Sequence, residues 1–150
     1  MGLQEELYQQ LILDHNRKPK NFFEMKDFTH SSEGFNPLCG DHIWVYLKIS
    51  PKGKIESISF TGESCAICKA SSSLMTEALL GKTISNASEF IQTFKDLLKG
   101  EEIKKDQISL GKLKIFSNIW KYPMRIKCAA LPWHTVKGAM EDSKQVSTEN

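Results

Sequence analysis

The apolar positions change period along the chain, and each change marks an element. Leu3, Leu7 and Leu11 recur every four residues with Tyr8 and Ile12 beside them. This predicts an amphipathic helix over residues 3–16, ended by Pro19. A polar, aromatic-dotted stretch follows to Asn36. Ile43, Val45, Leu47 and Ile49 then recur at period two, the pattern of a half-buried strand. Ser50-Pro51-Lys52-Gly53 reads as a turn, and Ile58 and Phe60 share one face of a second strand over residues 54–62. The pair predicts an antiparallel hairpin. A two-stranded ribbon is marginal alone, so a third strand is expected over residues 28–35.

From Ala66 the period becomes helical. Ile67, Ala70, Leu74 and Ala78 mark a helix with Gly81 placed to cap it. Asn86 with Glu89 resembles a capping box, ahead of an apolar face of Phe90, Ile91, Phe94, Leu97 and Leu98 that Gly100 closes. Residues 101–111 are polar and read as loop, and 112–120 as a short helix. Residues 123–141 read as helical, with a kink or restart expected at Pro132, which has no amide donor. The polar tail from Asp142 is expected to fray. The expected fold class is α+β: a small antiparallel sheet of about three strands packed against helices. It forms one domain over residues 1–150, with 142–150 as its tail.

The balance of 40% hydrophobic and 25% charged residues over 150 positions suits a globular domain with a core of its own. A formal charge of +2, from 20 basic and 18 acidic residues, argues against nucleic-acid or membrane binding. The N-terminal MGLQEELYQQ lacks the basic start and apolar core of a secretory signal, and Glu6 stands where a myristoylation motif wants Ser or Thr. No apolar run reaches the length of a membrane span. The expected location is a reducing cytoplasm.

That setting changes the meaning of the four cysteines, Cys39, Cys65, Cys68 and Cys128. Where disulfides are disfavoured, such a set binds metal or does chemistry; four buried small hydrophobes are the alternative. Cys39-Gly40-Asp41 precedes the first clear strand, where Gly40 permits a tight turn and a thiolate and carboxylate can face a common centre. Gly62-Glu63-Ser64-Cys65 sits where strand gives way to helix, so the helix amides favour the Cys65 thiolate. Arg125-Ile126-Lys127-Cys128 flanks a third thiol with cations. Three thiols and one carboxylate make a four-coordinate set that suits zinc, although ligands this remote in sequence carry no local zinc signature.

These segments together resemble the U-type scaffold family of iron–sulfur cluster assembly (IscU/SufU, NifU N-terminal-like), most closely its SufU branch. The resemblance rests on Leu7-Tyr8 through Asp14-His15, Pro19-Lys20-Asn21, Asn36-Pro37-Leu38-Cys39-Gly40-Asp41, Gly62-Glu63-Ser64-Cys65 with Ala70-Ser71-Ser72-Ser73-Leu74-Met75, and Arg125-Ile126-Lys127-Cys128-Ala129 with Leu131 and Trp133. It spans nearly the whole domain, in order. The IscU type carries histidine immediately before its last cysteine; here Lys127 stands there. The segment around residues 101–122 fits extra residues found in SufU-like members. Cys68 departs from the pattern, which has a small non-cysteine residue, and creates a Cys-x-x-Cys string. The surrounding elements do not suit thioredoxin, so Cys68 is read as a bystander beside the site or a substitute ligand.

The resemblance implies a metal site of Cys39, Asp41, Cys65 and Cys128. It also implies a zinc-dependent sulfurtransferase that accepts persulfide sulfur from a PLP-dependent, SufS-like cysteine desulfurase and passes it to downstream cluster-assembly proteins. Cys39, on its glycine-hinged loop, is the expected acceptor. Arg125 and Lys127 are placed to offset the charge of the site, or Arg125 to help dock the desulfurase. Two rivals stand beside this reading: a scaffold assembling a [2Fe–2S] cluster, with iron, on the same ligands, and a non-enzymatic zinc-stabilised binding module. Of the histidines, His42 is read as a neighbour of the site or a surface group, His134 as packing or solvent contact, and His15 as a cap or local bond.

Overall fold

The computed structural model describes residues 2–101 and 109–148. The elements run α1 (Leu3–Arg17), β1 (His30–Asn36), β2 (Asp41–Ile49), β3 (Ile55–Glu63), α2 (Ala66–Leu79), α3 (Ile84–Leu98), two 3-10 turns (Gly111–Phe116 and Ile119–Lys121), α4 (Pro123–Met140) and β4 (Gln145–Ser147). The architecture is α+β, as expected, and the third strand is present as β1. The sheet has one strand more than expected: its order is β3-β2-β1-β4, and β4 runs parallel to β1, so it is mixed.

That fourth strand comes from the tail expected to fray. Val146 pairs with Gly34, and the Thr148 N–H donates to the Phe35 carbonyl at 3.0 Å. Val146 also seats against Gly138 of α4, where a Cβ would lie 2.6 Å from its Cγ2. A small residue on the helix and an apolar one in a polar tail anchor a strand that composition alone conceals.

Alternation in β2 sends Ile43, Val45 and Leu47 to the core face and His42, Trp44 and Tyr46 to the other. α4 lies across β1 and β2 on the core face, α2 packs beside β3 and α4, and α1 rests on α2. Trp133, fully buried on α4, donates its Nε1–H to Ser71 Oγ at 2.9 Å, and that hydroxyl donates to the Ala129 carbonyl at 2.6 Å. This bracing explains why α4 continues through Pro132 instead of restarting: proline removes only the one amide that the Cys128 carbonyl would accept.

Two further expectations are corrected. The N-cap of α3 is Thr83, whose hydroxyl accepts from the Asn86 N–H at 3.1 Å, so the helix begins before the Asn86–Glu89 pair. His15 bonds across the fold rather than locally, with Nδ1 2.7 Å from Ser73 Oγ. The loop expected over 101–111 falls largely outside the described residues, and no helix among the described residues is long and apolar enough to cross a membrane.

Candidate metal centre

Three chain reversals converge at one end of the sheet. The first is the β1–β2 hairpin. Asn36 and Asp41 are cross-strand partners, and Pro37-Leu38-Cys39-Gly40 is the connection between them. The Cys39 N–H donates to the Asn36 carbonyl at 3.2 Å, and Gly40 closes the turn at φ +69°. Cys39 is therefore exposed at a hairpin tip, while Asp41, on the core face of β2, is buried.

The second reversal leads from β3 into α2. Cys65 is the N-cap of that helix, and its Sγ accepts from the Cys68 N–H at 3.4 Å. Its own N–H donates to Asp41 Oδ1 at 2.8 Å, so the helix start also holds the carboxylate. The third is the first turns of α4, which carry Cys128 to the same place.

Donor atoms of Cys39, Asp41 and Cys128 all lie within 4.8 Å of one another. Cys128 Sγ is 3.3 Å from Cys39 Sγ, and Cys65 Sγ is 3.9 Å from Asp41 Oδ2. A tetrahedral zinc with bonds of about 2.0–2.3 Å has donor–donor edges of roughly 3.5–3.8 Å. Cys39, Asp41 and Cys128 lie near this size, Cys65 falls outside the group whose donors are mutually within 4.8 Å, and the four together offer three soft sulfurs and one carboxylate. Of the four residues singled out from sequence, three form the tightest cluster, and Cys65 stands against it through Asp41.

The surroundings of the thiols shift their acidity in different directions. A hydrogen bond from Cys128 first, and the Cys68 amide as a further cause, lower the Cys65 thiol to about 7 against the opposing effect of burial. Cys128, the donor in that pair and itself buried, is pushed up. Burial raises Cys68 well above the ordinary range; it is fully enclosed in the core, which suits the bystander reading.

Asn36 is the residue that sequence reasoning did not assign. Fully buried, it donates from Nδ2 to Asp41 Oδ2 at 3.1 Å, and the same nitrogen lies 3.6 Å from Cys128 Sγ. Its signal was available: an asparagine at a strand end just before a ligand loop. His42 faces away from the centre, stacked between Phe35 and Trp44 and paired with Glu33. Arg125 lies over the Tyr122 ring at 4.5 Å. Tyr8 approaches from α1, its buried hydroxyl without a hydrogen-bond partner among the described residues.

Known proteins resemble this chain in sequence and fold. Residues 7–129 match the family model described as the NifU-like N-terminal domain. The chain is 37% identical over 133 residues to the zinc-dependent sulfurtransferase SufU of Bacillus subtilis, covering 89% of this chain and 88% of that one. It is 35% identical over 137 residues to the iron–sulfur cluster assembly scaffold protein IscU of Streptococcus pyogenes, covering 91% and 84%. Among solved structures, one described as an iron–sulfur cluster assembly scaffold protein for the SUF system, from Fervidobacterium islandicum, superposes with a TM-score of 0.82 at 32% identity over 91% of this chain and 98% of that one. The NifU-like N-terminal protein of Brucella abortus superposes at 0.81 with 20% identity over 93% and 95%, a likeness of fold. A family match across most of the chain, joined to relatives above the thirty-per-cent level, means that this chain belongs to the NifU-like N-terminal domain family, the family of SufU and IscU.

Proposed function

We propose that the chain is a zinc-dependent sulfurtransferase of iron–sulfur cluster assembly, working in a reducing cytoplasm. It takes sulfur onto Cys39 from the persulfide of a PLP-dependent cysteine desulfurase and delivers it to downstream assembly proteins. Asp41, Cys65 and Cys128, with Cys39, hold the zinc. The observation that carries this reading is an exposed thiol grouped with buried donors: Cys39 lies on an open hairpin tip, within 4.8 Å of Asp41 and Cys128.

Zinc, when bound, keeps its sulfur ligands deprotonated near neutral pH. The residues divide the remaining work. Asp41 is a hard donor in a soft set and is braced by the Cys65 amide and by Asn36. Cys65 and Cys128 are anchored on helices. Cys39, on a turn with open space around Gly40, can leave the set to meet a partner's persulfide without moving either helix. Thiol exchange needs an accessible sulfur, and Cys39 is the exposed one of the four cysteines.

Replacement separates the roles. Cys39→Ala is expected to abolish sulfur acceptance while disturbing the fold less than Cys65→Ala or Cys128→Ala. Acceptance at the normal rate by Cys39→Ala overturns the assignment.

A second reading is a [2Fe–2S] scaffold on the same ligands, supported by relatives named as scaffolds at 34–35% identity. Anaerobic reconstitution with iron and sulfide in competition with zinc discriminates: a stable coloured cluster favours the scaffold. Absence of both sulfur transfer and any stimulation of the desulfurase would leave a zinc-stabilised binding module.

A further inference from the structure

The tail of the chain reaches the amide that braces the centre. Strand β4 pairs in parallel with β1, and its last pairing, Ser147 with Phe35, brings Thr148 beside Asn36. The Thr148 hydroxyl donates to Asn36 Oδ1 at 3.1 Å, while the Thr148 N–H donates to the Phe35 carbonyl at 3.0 Å. Asn36 is fully buried, and its other end, Nδ2, meets Asp41 Oδ2 at 3.1 Å and Cys128 Sγ at 3.6 Å. One end of the amide thus faces the candidate ligands and the other faces the tail.

We infer that Thr148 is a positioning residue of the metal centre: its hydroxyl holds the Asn36 amide in the orientation that donates to Asp41 and Cys128, so that β4 straps the ligand set from outside it. This rests on the reading of Cys39, Asp41, Cys65 and Cys128 as the zinc ligands. An asparagine amide has one accepting end and one donating end. Turned over, it would set its oxygen against the Asp41 carboxylate, acceptor against acceptor. A hydroxyl can serve either end, so Asp41 selects the orientation and Thr148 satisfies the buried oxygen that this orientation leaves behind. Without the hydroxyl, Oδ1 would be a buried acceptor with no other donor among the described residues. The amide would then gain by rotating away from its two partners at the centre.

The strap is itself fastened along its length. The Glu33 N–H donates to the Lys144 carbonyl at 2.9 Å at one end, the Thr148 N–H closes the other, and Val146 seats against Gly138 between them. In this way α4 serves the centre twice. Its first turns carry Cys128, and the segment that leaves its last turn returns along β1 to hold the amide that reaches Cys128. Thr148 lies beyond residues 7–129, so the brace comes from outside the segment that matches the family model. The consequence is that the grip on the ion depends on the tail as well as on the three reversals that carry the ligands.

The test uses the full-length chain with Thr148→Val, which exchanges the hydroxyl for a methyl group of similar size, and with Thr148→Ser, which keeps the hydroxyl. Zinc affinity is read by chelator competition, and the Asn36 side-chain amide by heteronuclear NMR of the metal-stripped chain. Thr148→Val is expected to bind zinc about three- to tenfold more weakly, a smaller loss than removal of Asn36 itself, and to shift the Asn36 amide resonances and speed their exchange with solvent. Thr148→Ser is expected to match the wild type in both readouts. In an Asn36→Ala background, Thr148→Val is expected to weaken zinc binding no further, because the hydroxyl then has no amide to hold. Equal zinc affinity of wild type and Thr148→Val, unmoved Asn36 resonances, or the full weakening persisting in the Asn36→Ala background overturns the proposal. Should Asn36→Ala fold poorly, the serine and valine variants decide: a serine variant as weak as the valine one also overturns it. A wild-type chain that holds no zinc, with the Asn36 resonances still moved by Thr148→Val and not by Thr148→Ser, upholds the brace and strikes the zinc reading alone.

Discussion

Asn36 and Asp41 face each other across the mouth of the β1–β2 hairpin, and the asparagine amide donates to Asp41 Oδ2 at 3.1 Å. The same amide nitrogen reaches Cys128, ninety-two positions along the chain. One buried side chain thus orients an oxygen donor and a sulfur donor together, and its loss should be felt in both binding and stability.

Asn36→Ala is therefore expected to weaken zinc binding by about 10–100-fold, the usual effect of losing a group that orients metal ligands. It should also cost about 1–3 kcal/mol of stability through the buried partners left unbonded. Chelator competition and urea unfolding measure the two effects. An unchanged zinc affinity would remove Asn36 from the site.

Removal of the metal should lower thermal stability, because the donors come from three separate reversals that the ion would tie together. Zinc at about a thousandfold above its Kd stabilises the folded chain by about 4 kcal/mol, which corresponds to roughly 10 °C in Tm for a chain of this size. Scanning calorimetry with and without a chelator reads the shift, and Asp41→Ala should largely suppress it. Equal melting temperatures with and without the metal would argue that these reversals are held by packing alone.

Acid should destabilise the chain through His134. Burial first, then Lys95, Lys137 and Lys99, hold its pKa down to about 4. Between that value and about 6.5, the unfolded histidine binds a proton that the folded one does not. Its contribution is fully present above about pH 6.5 and is lost as pH falls toward 4. Burial lowers the pKa of His15 in the same direction. Allowing for solvent screening at the partly exposed ring, His134→Gln should recover about 1–2 kcal/mol of the stability lost between pH 7 and 4. Urea midpoints across that range check it; parallel profiles for the two proteins would rule His134 out.

Gly34 should not tolerate a side chain. A Cβ there would run into Thr135 Oγ1 of α4 and lie 3.2 Å from Leu131, at the crossing of β1 and α4. Gly34→Ala is expected to cost about 1–3 kcal/mol by overpacking. Adding Thr135→Ala should return part of that, whereas strictly additive losses would place the strain elsewhere. Melting of the single and double variants decides.

Local pattern was enough to place α1, β2, β3, α2 and α4 and to single out Cys39, Asp41, Cys65 and Cys128, because period, turn residues and ligand chemistry are properties of short stretches. It predicted a frayed tail and a kink or restart at Pro132; the tail instead pairs as a strand and α4 runs unbroken, through Val146 seated on Gly138 and the Ser71–Trp133 brace, neither of which is visible along the chain. It took Asn86 for the cap of α3, although Thr83 does the work, since both are good caps and only the tertiary path selects between them. Which donors meet was likewise a tertiary decision. Cys39 and Cys128 are eighty-nine residues apart, and their sulfurs come within 3.3 Å only because β1, β2 and α4 pack face to face. The sequence by itself determined the kinds of atom available to a metal and the elements that carry them. The packing of those elements decided which thiol is exposed, which is buried and which amide holds the carboxylate, since burial and hydrogen bonding arise only when remote segments share one core.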